Sequence, residues 1–259
     1  MIHEAASCGA NLVLLPEAMN LGWTHPSAKT MADSITDGDT CHSLIRSAKD
    51  NKVFICSGLV EKIDDKVFNS ALIINNRGHS ILKHHKINEL NIGHDYYNQG
   101  NRLNIVHTDL GILGVMIFSD AFAKNQVLSR SLCYIGADII LLPCCWAVPP
   151  EYDNSKTPYD KTWKDAYIPV ARDFSVWIAS VSNVGSIKAG LWKGWKCIGG
   201  SFVIDPKGNE ILQAPYGVEA EKICYVDIEI VQRTTRGTGW QEHWQTHSYH
   251  VNTTEKGGH

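Results

Sequence analysis

Three positions in this chain carry residue types that could do covalent chemistry on a small polar molecule. Glu17 follows Leu14-Leu15-Pro16, Lys86 follows His84-His85, and Phe118-Ser119-Asp120 closes an apolar run. A carboxylate, an ammonium and a nucleophile held at strand ends can together cleave an amide or a nitrile. The carboxylate takes the proton from the nucleophile, and the ammonium holds the oxyanion of the tetrahedral intermediate. The third position has the right setting and the wrong side chain. Phe118 cannot attack a carbon. Ser119 is next to it, but successive residues of a strand point to opposite faces, so its hydroxyl is expected to aim away. Cys144 and Cys145 end a neighbouring apolar run, where inert buried thiols are expected. His243, His247 and His250 have ligand-like spacing, yet in a polar tail no metal site is expected. Trp192-Lys193-Gly194-Trp195-Lys196 reads as a pocket rim or a contact between copies. There is no phosphate-binding glycine loop and no G-x-S-x-G.

The elements that must hold these residues are legible as runs and turns. Gly111 to Phe118 reads as a buried strand. Asp120 is placed to cap a helix running through Val127, Leu128, Ser131, Leu132 and Ile135, and Gly136 stops it. Ala137 to Pro143 is a second buried strand, which makes a βαβ unit, and such units collect function beyond the carboxyl end of a strand. Asn11 to Pro16 and Val53 to Cys56 read as short strands, and Asp39 or Thr40 starts a helix through Leu44, Ile45 and Ala48. Phe68 to Ile74 and Ser80 to His84 form a hairpin around Asn75-Asn76-Arg77-Gly78. Leu103 to Val106 pairs with 112–117. Trp163, Tyr167, Val170 and Phe174 mark an amphipathic helix. Val176 to Val181 is a strand ending at Asn183, Gly199 to Ile204 and Glu210 to Gln213 form a hairpin, and Cys224 to Ile228 is a last strand.

The chain has 259 residues, 44% of them hydrophobic, with a formal net charge of −3. That length suits one large α/β domain, placed at 1–240, with a polar tail at 241–259. The charge gives no reason to expect a nucleic acid or a membrane surface as partner, and no apolar run is long enough to span a bilayer. The eight cysteines include no C-x-x-C pair and no secretion signal is recognised, so free thiols in the cytoplasm are expected. The sequon Asn252-Thr253-Thr254 carries no weight in that setting.

Taken together, the motifs resemble the carbon–nitrogen hydrolase (nitrilase) superfamily. The resemblance is carried by Leu14-Leu15-Pro16-Glu17 with Gly22, by His85-Lys86-Ile87, and by Gly114-Val115-Met116-Ile117-Phe118-Ser119-Asp120. It continues in Gly136-Ala137-Asp138 with Pro143 and Trp146, in Asn183-Val184-Gly185, and in Gly199-Gly200-Ser201 with Asp205-Pro206 and Gly208. It covers about Met1 to Glu229. It implies an α/β fold, a four-layer α-β-β-α sandwich, usually as a homo-oligomer. It implies hydrolysis of a small amide, nitrile or carbamoyl compound through a thioester, with no metal and no other cofactor. Glu17 would be the general base and Lys86 the oxyanion ligand. Ser119, Trp146 and Asn183 would contact substrate.

Three departures qualify that expectation. The family's catalytic cysteine falls on Phe118. The second glutamate of many members has no clear match, with His94 or Asp95 nearest. The family's first strand would lie before Met1. Three readings follow: a hydrolase whose cysteine was replaced, a natural non-catalytic relative that binds a small molecule or a protein, and an enzyme with a relocated nucleophile. Codon 118 of the source gene separates the first two.

Overall fold

A computed structural model describes residues 1–232 and 239–247. In chain order the regular elements are α1 (Ile2–Ser7), β1 (Leu12–Leu14), α2 (Ala28–Met31), α3 (Asp39–Asn51), β2 (Phe54–Ile63), β3 (Lys66–Ile74) and β4 (Ser80–His85). They continue with β5 (Ile105–Thr108), β6 (Gly111–Val115), α4 (Val127–Ile135), β7 (Ile139–Cys144), β8 (Ala147–Val148), α5 (Asp160–Phe174) and β9 (Trp177–Ser182). The last are β10 (Val184–Ser186), β11 (Lys196–Ile198), β12 (Phe202–Ile204), β13 (Glu210–Gln213) and α6 (Gly239–Thr246). Short 3₁₀ turns occupy Asn91–Asp95 and Phe118–Phe122.

The strands form two larger sheets and a small one. The first sheet runs β1-β2-β3-β4 and the second β13-β12-β9-β7-β6-β5, while β10-β11-β8 make the third. Strands β6, β7 and β9 are parallel neighbours. That arrangement explains why Ile139 to Cys144 is buried throughout: a strand covered on both faces needs no polar alternation. The two larger sheets meet through one apolar cluster. Phe54, Cys56, Ala71, Ile73 and Leu82 come from the first sheet, and Leu113, Val115, Ile117, Leu141 and Ala179 from the second. Helix α3 covers the far side of the first sheet with Cys41, Leu44 and Ala48. Helices α4 and α5 cover the far side of the second with Leu132, Trp163, Ala166, Tyr167 and Val170.

Several boundaries differ from those expected. The strand expected over Gly111 to Phe118 ends at Val115 and Phe118 opens a 3₁₀ turn, and the strand expected over Leu103 to Val106 is Ile105–Thr108. Strand β2 does not stop at Cys56 but runs to Ile63 and pairs along its length with β3, turning at Asp64, whose φ is 53°. It passes through Gly58 without breaking, because Gly58 is where the backbone of Pro16 and Glu17 comes closest. A Cβ there would lie 2.5 Å from Glu17 Cα. The helix expected from Asp120 begins only at Val127, since Asn125 and Gln126 take left-handed conformations. Residues 224–228 enter no strand ladder. Val226 and Ile228 instead pack on the inter-sheet cluster, and Glu229 accepts a hydrogen bond from Trp177 Nε1. The tail expected from 241 starts inside α6. His250 and the sequon lie outside the described residues.

Candidate active site

Glu17, Lys86 and Phe118 leave three different strands and converge between the two sheets. Glu17 follows β1 and is fully buried. Its backbone N–H donates to the Cys144 carbonyl at 3.2 Å, and its own carbonyl accepts from Asn183 Nδ2 at 2.9 Å. Lys86 follows β4 and is 2% exposed. Its Nζ donates to Glu17 Oε1 at 2.8 Å and lies 3.2 Å from Glu89 Oε1. Asn69, on β3, donates to Glu17 Oε1 at 2.6 Å and to Glu89 Oε2 at 3.2 Å. One ammonium and one amide therefore hold two carboxylates. Glu17 Oε2 has no hydrogen-bond partner.

The charges do not balance inside this group. Burial lifts the Glu17 carboxyl above its ordinary value, and Lys86 only partly offsets it. Burial alone would lower the lysine, but Glu17 and Glu89 outweigh it and keep Lys86 protonated. A carboxylate raised toward neutrality beside a permanent cation is suited to accept a proton.

Phe118 sits at the elbow with φ 39°, a region an L side chain enters at a cost of about 1–3 kcal/mol. Its ring lies 5.4 Å from Lys86 Nζ and 4.6 Å from the Trp163 ring. On another side Lys86 Nζ faces Trp23, 5.8 Å from that ring. The ammonium is thus walled by two carboxylates and two aromatic faces.

The elbow is fastened by Asp120. Its carboxylate accepts from Ile87 N at 2.9 Å and Asn88 N at 2.7 Å, both just beyond Lys86. It also accepts from Ile117 N at 3.0 Å and meets His84 Nε2 at 2.8 Å. Burial would raise the Asp120 carboxyl, but His84 and these backbone donors hold it below its ordinary value. Asp120 therefore does not start α4: it closes the 3₁₀ turn Phe118–Phe122 by accepting from Ile117 N, and its other oxygen is taken by the loop after Lys86.

The remaining expected residues are placed differently. Ser119 is buried and donates its hydroxyl to the Asn88 carbonyl; the strand alternation expected there does not apply, because β6 ends at Val115 and Ser119 lies in the 3₁₀ turn Phe118–Phe122. Trp146 is buried behind Trp163, stacked on it at 4.0 Å. Asn183 spends its amide on the Glu17 carbonyl. These three support the walls and backbone of the site. Cys144 is fully buried in the cluster under α5, where burial raises its thiol. Trp192 packs on Trp23 at 4.5 Å and stacks on Trp195 at 4.4 Å, which sets that loop against the aromatic ring that faces Lys86. The described residues hold no group of three metal-ligating side chains.

Glu89 was missed. His94 and Asp95, nearest to the expected second glutamate, are both exposed, whereas Glu89 lies on the lysine itself. The available signal was local: Lys86 and Glu89 are three residues apart. Asn69 gave no signal, because one Asn in a strand reads as an ordinary polar position.

Residues 1–236 match the sequence profile of the carbon-nitrogen hydrolase family. A nitrilase of Pyrococcus abyssi is 30% identical over 237 residues, covering 90% of this chain and 82% of that protein. A chloroplastic omega-amidase of Arabidopsis thaliana is 28% identical, covering 90% of this chain and 63% of that one. Among solved structures, a carbon-nitrogen hydrolase of Helicobacter pylori superposes with a TM-score of 0.71 at 20% identity, over 83% of this chain and 78% of that one. An amidase of Nesterenkonia sp. gives 0.69 at 17% identity, over 83% and 78%. With the fold, the profile match and the Pyrococcus relative in agreement, this chain belongs to the carbon–nitrogen hydrolase family.

Proposed function

We propose that this protein carries the base and oxyanion half of an amidase- or nitrilase-type site and lacks its nucleophile. Glu17 is the base, Lys86 the oxyanion ligand, and Phe118 stands where a thiol would attack. The ligand is a small planar amide, nitrile or carbamoyl compound, in keeping with relatives named nitrilase and omega-amidase. As written the chain binds without turnover, as a pseudoenzyme in the cytoplasm, with one domain over 1–240 and a second copy as its partner. The observation that carries this reading is the orphaned Glu17 Oε2. A buried carboxylate oxygen with no donor, beside an ammonium that keeps its charge, suits an N–H of a bound amide.

The test is Phe118→Cys. A thiol is a strong nucleophile near neutral pH, and Glu17 lies in the same pocket to take its proton. Intact-protein mass spectrometry with a panel of amides, nitriles, carbamoyl compounds and activated esters is expected to show an acyl adduct or turnover. Phe118→Ser should give little or none. A folded Phe118→Cys protein that forms no adduct with any of them would make a non-catalytic binding module the better reading.

A further inference from the structure

Beside this pocket, outside the Glu17–Lys86–Glu89 group, lie two sulfurs in contact. Cys145 Sγ and Cys197 Sγ are 3.7 Å apart. Cys145 lies just beyond the end of β7. Cys197 is in β11, facing Ala147 of β8 across an antiparallel pair. Both are buried, in a cluster with Ala18, Trp23 and Ala147. Cys144 and Cys145 turn to opposite sides: Cys144 packs in the cluster under α5, and Cys145 in the cluster that holds Trp23.

We propose that Cys145 and Cys197 are a redox modification site that closes to a reversible disulfide when a hydroperoxide reaches them. An S–S bond is about 2.05 Å long, so the sulfurs must approach by about 1.7 Å, a movement within reach of side-chain rotation. The reaction balances with hydrogen peroxide as the oxidant. One thiolate attacks a peroxide oxygen, giving a sulfenic acid, and the departing hydroxide is protonated to water. The second sulfur then displaces the sulfenic oxygen as a second water. Two thiols and one peroxide become one disulfide and two waters.

The pair also differs chemically from the other buried thiols. Burial alone raises Cys56, and it dominates at Cys144. At Cys197 the hydrogen bond from Cys145 outweighs burial and lowers the thiol, while Cys145 is raised. The bond would tie the exit of β7 to β11. Cys144, next to Cys145, holds the Glu17 N–H, and the loop before β11 carries Trp192 and Trp195 against Trp23. Oxidation would thus fix the exit of β7 and the loop against Trp23, whether or not the site turns over a substrate.

The test uses the full chain in its native state. It is treated with hydrogen peroxide, quenched with catalase, alkylated in denaturant, and mapped by mass spectrometry. The expected product is a peptide pair joined through Cys145 and Cys197 and released by dithiothreitol, formed before Cys56 or Cys144 reacts. In Cys145→Ser and in Cys197→Ser the link should be absent, and a sulfenic-acid probe should label the remaining cysteine in at least one of the two. Three results would overturn the proposal: both thiols remaining alkylatable at peroxide levels that oxidise exposed Cys8, a link between other cysteines, or a link that forms only in urea. The wild-type mapping decides the matter even if a serine variant fails to fold.

Discussion

At the scale of single residues, the lysine matters more to this pocket than either acid alone. Replacing Lys86 by methionine would leave Glu17 and Glu89 facing each other in a dry site without a counter-charge. An uncompensated buried charge costs about 3–5 kcal/mol, so Lys86→Met is expected to lose about that much stability at pH 7. Glu17→Gln should lose far less, because Glu89 stays 3.2 Å from the ammonium. The pH dependence separates the two further. The Glu17 carboxyl is raised in the folded protein, so its contribution is complete below the unfolded value near 4.5 and is lost as pH rises through the folded value. Without Lys86 that loss grows, and the Lys86→Met deficit should shrink on going from pH 7 to about pH 5. Urea melts of both variants at the two pH values check this. Equal midpoints at pH 7 would show that the ammonium does not hold the carboxylates together.

At the scale of elements, the site depends on two contacts that join distant pieces of chain. Asp120 gathers the elbow and the loop after β4 through four partners. Hydrogen bonds to a charged group contribute about 1.5–3 kcal/mol each, though not additively. Asp120→Ala is therefore expected to cost more than about 3 kcal/mol and to lower binding at Lys86 as well. Its carboxyl is held below the ordinary value of 3.8, so its stabilisation is present above that value and is lost as pH falls through the folded one. Acid unfolding of the wild type should therefore steepen below pH 3.8, and Asp120→Ala should flatten that limb. The second contact is Gly58 against Glu17. An added Cβ would meet Glu17 Cα at 2.5 Å and the Pro16 carbonyl at 2.7 Å. Gly58→Ala must move the turn that carries Glu17, at about 1–3 kcal/mol. At about 2–4 °C per kcal/mol for a chain of this size, calorimetry resolves the change, and an unchanged melting temperature would mean that the turn yields freely.

At the scale of the whole molecule, the sequence showed the parts whose signal is local and hid those set by packing. The parallel strands β7 and β9 were visible as apolar runs, and the β3–β4 hairpin as a turn of Asn, Arg and Gly. Glu17 and Lys86 were visible because each stands at a strand end beside recognisable neighbours. Glu89 and Asn69 were not, since nothing local shows that a polar side chain will be buried against another strand. The start of α4 was misread for a related reason: Asp120 has the right type for a cap, but it closes a 3₁₀ turn ahead of α4, and its other oxygen is taken by a loop 32–33 residues earlier in the chain. Packing likewise decides what α4 leaves uncovered. Val127, Tyr134 and Ile135 are 51%, 53% and 47% exposed. The spacing i, i+7, i+8 puts them on one side of the helix, and Phe122 lies just ahead of it, also exposed. An apolar strip on a helix whose other face, through Leu132 and Cys133, is already buried in the cluster with Trp163 suits a second copy of the same surface, because a two-fold axis pairs like with like. Light scattering is therefore expected to give twice the monomer mass. Val127→Asp with Ile135→Asp should reduce it to the monomer without altering the circular dichroism, as both side chains leave the core untouched. A wild-type chain that scatters as a monomer, or a double variant that remains a dimer, would exclude α4 as the interface.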